Sequence, residues 1–169
     1  MPNQISLLSR DGETLTVERE IIQMSLLVKD MLEDGDDEDD DTPVIPVPNV
    51  DAETLQNIVE YCEHHHNNPA DEIERPLRNK LEDVLSDWDL RFLNKLDQTM
   101  LLQVIMAANY MNIKDLLDLT CAKISSNLKD KTPEYIKELF GISSDFTEEE
   151  LERIKKQNNW VEQQQPNIL

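Results

Sequence analysis

Asp97-Gln98-Thr99-Met100-Leu101-Leu102-Gln103-Val104-Ile105-Met106-Ala107-Ala108-Asn109-Tyr110-Met111-Asn112 opens with a helix cap and then turns apolar on nearly every side. Asp97 is placed to accept from the first free backbone amides of a helix running from Gln98 to Met111. Met100, Leu101, Leu102, Val104, Ile105, Met106, Ala107 and Ala108 leave that helix almost no polar face. Such a helix belongs at the centre of a packed domain, so the rest of the chain is expected to be built around it.

Upstream, Ile5 to Leu8 and Thr14 to Val17 alternate as short strands around Asp11-Gly12, a dipeptide that tolerates the positive φ of a tight turn. A hairpin is expected there. Two helical pieces follow, Glu18 to Met24 and Ser25 to Leu32, the second capped by Ser25. From Glu33 to Asp41 every residue but Gly35 is acidic. So dense a run of like charge repels itself, and the stretch 33–42 is expected to be a mobile acidic loop. It lacks the spaced carboxylates of a calcium loop. Val44-Ile45-Pro46-Val47-Pro48 is extended by its prolines, and since proline cannot donate to a ladder it predicts an edge strand. Asp51 then starts a helix whose Ala52, Leu55, Ile58, Val59 and Cys62 share one face, which is expected to cover the sheet.

Residues 67–87 read as a linker, although Leu77, Leu81 and Leu85 at spacing four also suit a short helix. Downstream of the buried helix, Lys114 to Leu128 carries Leu117, Cys121, Ile124 and Leu128 on one stripe and Leu116 and Leu119 on a second edge. One edge can pack on the core and leave the other outward. Thr132-Pro133-Glu134 begins a further helix with Ile136, Leu139 and Phe140 apolar. Thr147 with Glu150 forms a capping box for the last helix, which holds Leu151, Ile154, Trp160 and Val161. Helices this short are marginal alone, and their thin stripes give the segment from Lys129 onward no core of its own. Taken singly, Leu117, Cys121, Ile124, Ile136, Phe140 and Trp160 suit a core. Together they exceed what two short helices cover, which favours a partner.

The chain has 169 residues, room for one core and an appendage. Its 16 Lys and Arg against 36 Asp and Glu give a formal charge of -20, which repels nucleic acid and anionic membrane at long range. No stretch approaches the roughly 20 apolar residues that span a bilayer, and Met1 to Ser6 has no positive region leading into an apolar run. A cytoplasmic and nuclear protein is expected. Cys62 and Cys121 both sit in apolar helical patterns and read as small buried hydrophobes of a reducing compartment. Cys62, His64, His65 and His66 suggest zinc, but consecutive histidines on one helix point apart and no second ligand pair follows, so no metal is expected. With three glycines, no phosphate loop and no hydrolase or zinc-protease motif, the chain offers no catalytic site and no cofactor site.

Several short pieces, in this order, resemble the S-phase kinase-associated protein family. They are Asp11-Gly12-Glu13, Met31-Leu32-Glu33-Asp34, Pro46-Val47-Pro48-Asn49-Val50, Cys62-Glu63-His64-His65, Trp88-Asp89 with Phe92-Leu93, and Asp97-Gln98. Ala107 through Lys114, Leu116-Leu117-Asp118, Lys131-Thr132-Pro133-Glu134 and Asp145 through Glu150 complete the set. The resemblance runs from about Ile5 to Trp160. Members of that family are adaptors that link F-box proteins to a cullin scaffold in SCF ubiquitin ligases. It implies an α+β protein: a BTB/POZ fold, a small sheet covered by helices, with a C-terminal helical extension. On that frame residues 1–128 are the BTB/POZ-like domain, 129–162 the F-box-binding extension and 163–169 a flexible tail. The F-box side maps onto Leu117, Cys121, Ile124, Ile136, Phe140 and Trp160, and a heterodimer with an F-box protein is implied. The cullin side maps onto Asn109 and Tyr110, with Ile45 and Val47 beside them. Glu148 stands where some members carry a hydroxylatable proline.

Two other readings compete. An elongin-C-like adaptor shares the fold but ends near the equivalent of Asn112, without the later helices. An acidic histone-binding chaperone would use the run from Glu33 to Asp41.

Overall fold

The computed structural model describes residues 4–34, 42–74, 80–129, 131–142 and 146–162, apart from the side chains of 155 and 159–162. The chain forms two compact units, Met1–Lys129 and Asp130–Leu169. Among the described residues no helix is long and apolar enough to cross a membrane.

The first unit opens with β1 (Gln4–Ser9) and β2 (Thr14–Glu18), paired antiparallel with Ile5 opposite Val17 and Leu7 opposite Leu15. Gly12 sits at φ 84°, and its amide donates to Ser9 O at 3.1 Å while Ser9 N donates to Glu13 O at 2.9 Å. That is a three-residue hairpin loop with its left-handed residue at glycine, where no Cβ resists it. The same loop holds the start of a later helix: Asp11 Oδ1 accepts from Ala52 N at 3.0 Å, and Arg10 N donates to Val50 O at 2.7 Å.

Two helices follow, α1 (Arg19–Ile22) and α2 (Leu26–Asp34). Ser25 Oγ accepts from Val28 N at 3.2 Å as the sequence predicts, and it also donates to Met111 O at 2.7 Å. One hydroxyl thus starts a helix and ties it to the chain 86 residues later. Glu33 and Asp34, expected in the acidic loop, instead complete the last turn of α2. Residues 35–41 of that expected loop lie outside the described residues.

The third strand, β3 (Val44–Val47), runs parallel to β1 in a sheet of order β2-β1-β3. It is the predicted edge strand, and its proline sits at an edge where a missing donor costs least. Next, α3 (Ala52–Asn67) is capped by Asp51, whose Oδ1 accepts from Thr54 N at 2.8 Å. Its Leu55, Ile58, Val59 and Cys62 are buried as the pattern requires, with α1, β2 and the later α5 packed around it.

The expected linker 67–87 is shorter and more structured than its composition suggests. A 3-10 turn at Leu81–Asp83 packs against the later α6 and buries Leu81, with Leu85 buried just beyond. Leu77 lies outside the described residues. Then α4 (Asp87–Lys95), absent from the sequence reading, begins at Ser86, whose Oγ accepts from Asp89 N at 3.1 Å. It buries Phe92 and Leu93.

The predicted apolar helix is α5 (Gln98–Tyr110), capped by Asp97 with Met100 N at 2.7 Å. It packs against α3 and against α6 (Lys114–Leu128). Leu101, Val104, Ala107 and Ala108 are buried, but Met106 is 72% exposed, so the helix is core on three sides and surface on the fourth. Between α5 and α6 the chain turns through Asn112 at φ 55°. Ile113 N donates to Ala108 O at 2.9 Å and Asn112 N to Asn109 O at 3.2 Å, the paired bonds of a Schellman stop with asparagine in the left-handed position.

The second unit holds α7 (Pro133–Leu139) and α8 (Glu148–Glu162). Thr132 Oγ1 accepts from Tyr135 N at 3.3 Å, and α7 closes on Gly141 at φ 61° with Ile142 N bonded to Lys137 O at 2.9 Å. The capping box of α8 is present in both directions: Glu150 N donates to Thr147 Oγ1 at 3.3 Å, and Thr147 N to Glu150 Oε2 at 3.0 Å. Among the described residues of this unit none is buried. Its described residues specify the helices locally, by caps and stops, rather than by buried side chains.

Candidate functional site

Three surfaces carry the residues singled out from the sequence. At the end of α5, Asn109 is exposed and Tyr110 half-buried against the core. The Schellman stop fixes both, because Asn109 O is tied by the Asn112 amide while Ala108 is anchored in the core. Met106 lies one turn earlier on the same helix and is more exposed than any other large apolar side chain described. It was not picked out from the sequence. The signal was there: a helix apolar all round must surface somewhere, and the polar Asn109 marks the side.

Ile45 and Val47 do not belong to that surface. They are 6% and 0% exposed, turned into the core, while Val44 is 54% exposed and Pro46 also faces out. Alternation along a strand puts 45 and 47 on one face and 44 and 46 on the other. A partner approaching this edge would meet Val44 and Pro46, with Ile45 and Val47 as their backing.

On α6 the two edges separate as expected. Leu116, Leu119 and Ala122 are buried, whereas Leu117 and Ile124 are partly buried against the same core and Cys121 is exposed. The expectation that both cysteines are buried therefore fails for Cys121, which lies on the outward edge of the helix. Cys62 is buried, and desolvation pushes its thiol up to about 12.

In the second unit, Ile136 is half-buried and Phe140 is 39% exposed; the side chain of Trp160 lies outside the described residues. Tyr135, Ile142 and Phe146, at 43%, 55% and 55% exposure, add apolar surface that the sequence reading did not include. Lys131 lies over the Tyr135 ring at 5.3 Å, a cation–π contact on the rim of this surface. The six residues mapped to one partner thus fall into two sets, Leu117, Cys121 and Ile124 in the first unit and Ile136, Phe140 and Trp160 in the second.

The histidine run resolves into three different roles. His64 stacks on Trp88 at 3.9 Å and 3°, His65 turns into the core toward Asp89, and His66 is exposed. Among the described residues no three histidine, cysteine or acidic side chains converge as a metal set.

Residues 3–67 match the tetramerisation domain of the Skp1 family and residues 114–161 match its dimerisation domain. An S-phase kinase-associated protein 1 homolog of Tetrahymena thermophila is 42% identical over 161 residues, 95% of each chain. An E3 ubiquitin ligase complex SCF subunit sconC of Arthroderma benhamiae is 41% identical over 165 residues, 95% of this chain and 96% of its own. The sconC subunit of Arthroderma otae is 40% identical over 164 residues, 95% of each.

Proposed function

Since the chain belongs to the Skp1 family, we propose that it is the non-catalytic adaptor of an SCF-type ubiquitin ligase, joining an F-box substrate receptor to a cullin scaffold. The α+β first unit has the POZ-type architecture of that family, with a three-stranded sheet under helices. The observation that carries the reading is the match of both family domains, in order, within relatives that align along nearly the whole chain. An elongin-C-like adaptor fits less well, because the dimerisation-domain match runs on to residue 161.

Asn109, Tyr110 and Met106 form the cullin-facing surface in this proposal, with Val44 and Pro46 at its margin. The F-box protein engages Leu117, Cys121 and Ile124 on α6 and Ile136, Phe140 and Trp160 in the second unit. Exposed apolar and aromatic side chains on a unit with no buried side chain among its described residues are what a partner would cover. The adaptor works in the cytoplasm and nucleus and supplies binding rather than chemistry. Affinity purification of the full chain from its own cells, with identification of the copurifying chains, tests this. An F-box protein and a cullin are expected together; recovery of histones without either would support the chaperone reading and overturn this one.

A further inference from the structure

His65 lies in the last turn of α3 with its side chain 2% exposed, and Asp89 faces it from the first turn of α4 with its side chain 3% exposed. Nδ1 of His65 is 2.8 Å from the main-chain oxygen of Asn68, and Nε2 is 3.0 Å from Asp89 Oδ1. A carbonyl oxygen can only accept, so the nitrogen facing Asn68 carries a proton. The nitrogen facing the carboxylate needs one too. The second carboxylate oxygen of Asp89 already accepts from Ser86 Oγ at 2.8 Å, and that hydroxyl is fixed by its own bond from Asp89 N. A neutral imidazole has one N–H and leaves one of the two bonds unmade; the doubly protonated ring makes both.

We propose that His65 is an imidazolium clamped between Asn68 and Asp89, forming a proton-dependent latch that holds the first turn of α4 against the end of α3. The groups around it are consistent. From α4 come Asp89 and the Trp88 ring, edge-on to His65 at 5.4 Å and 89°. From its own helix come Tyr61, with ring centroids 4.2 Å apart, and His64 at 4.9 Å, where a proton on His64 would oppose the charge. From α6 comes the carboxylate of Asp115, which favours the charge.

Burial works against a charged His65, but the hydrogen bonds to Asp89 and Asn68 and the nearby carboxylates outweigh it and hold its pKa above 6.5. Burial likewise works against an ionised Asp89, but the bonds from His65 and Ser86 hold it below 3.8. The histidine contribution is complete below its unfolded pKa and is lost as pH rises through the folded one. The aspartate contribution is complete above its unfolded pKa and is lost as pH falls through the folded one. The latch is therefore firmest between about pH 4 and 6.5 and opens on the alkaline side. Opening loosens the helix that carries Trp88 and Phe92 and, on its outer side, Arg91 and Lys95 beside Glu60.

Nitrogen NMR of the histidine rings in the full chain from pH 5 to 9, with hydrogen exchange of the α4 amides, tests the latch. His65 is expected to carry protons on both nitrogens at the acidic end of that range and to titrate above 6.5. Protection of α4, corrected for the intrinsic base-catalysed rate, is expected to fall through the same titration. Asp89→Asn is expected to bring the His65 titration below 6.5. A His65 that titrates at or below 6.5, or α4 protection that is flat across its titration, overturns the proposal. The wild-type ring signals decide it even where the variant does not fold.

Discussion

Asn112 holds φ 55° between α5 and α6, a conformation that costs an ordinary side chain about 1–2 kcal/mol and asparagine less. Asn112→Gly is expected to leave the urea midpoint nearly unchanged, and Asn112→Val to lower stability by about 1–2 kcal/mol. Equal losses from both would mean that the asparagine side chain, not its backbone, matters. Because the same turn fixes Asn109 and Tyr110, Asn112→Val should also blunt whatever binds them. The direct test is Asn109→Lys with Tyr110→Lys, expected to cost roughly 2–5 kcal/mol of cullin binding while F-box binding survives. Met106→Glu should weaken cullin binding with stability unchanged to within about 0.5 kcal/mol, since its side chain has little packing to lose. Loss of both partners in a pull-down would point to misfolding.

At the level of elements, the helices announced by caps were legible: Asp51, Asp97, Thr132 and Thr147 each mark a start that the structure keeps. So was the hairpin, through Gly12. The helix α4 was not, although Ser86 with Asp89 is a cap of the same kind, because the prolines and mixed charges just upstream mask it. Its role depends on a contact with α3 across 24 residues, which periodicity cannot register. The inward face of β3 was equally hidden: alternation groups Ile45 with Val47 but does not say which group meets the core. The surface at Asn109 and Tyr110 came from resemblance to a family, since local pattern assigns no partner. For the last two helices, local caps with no buried side chain among the described residues predict a separable behaviour. Truncation after Lys129 should leave a cooperative thermal transition and remove F-box binding, and Phe140→Ala in the full chain should weaken that binding by roughly 2 kcal/mol. Amides from Thr132 onward should exchange fast in the free protein and slow when an F-box protein binds. Protection equal to that of Gln98 to Ala108 without a partner would sink this reading.

On the scale of the whole molecule, a formal charge of -20 sets both company and conditions. It favours neutral or basic partner surfaces, and it makes the free chain repel itself. Raising salt from about 0.05 to 0.5 M, which shortens the screening length several-fold, is expected to raise the melting temperature of the unbound protein. A fall would show that attractive pairs such as Lys95 with Glu60 and Arg10 with Asp51 outweigh the excess of acid.

The parallel pairing of β1 with β3 makes the order of assembly a matter of kinetics. The hairpin of β1 and β2 closes over three residues and can form within about 1–10 μs. Ser6 and Val44 are roughly forty residues apart, and bringing them together costs on the order of 3 kcal/mol of chain entropy before any contact repays it. Inside that span the sequence carries the acidic run from Glu33 to Asp41, part of the chain's large excess of like charge. Pairing of β3 is therefore expected to follow closure of the hairpin, and refolding should quicken with salt until screening is complete.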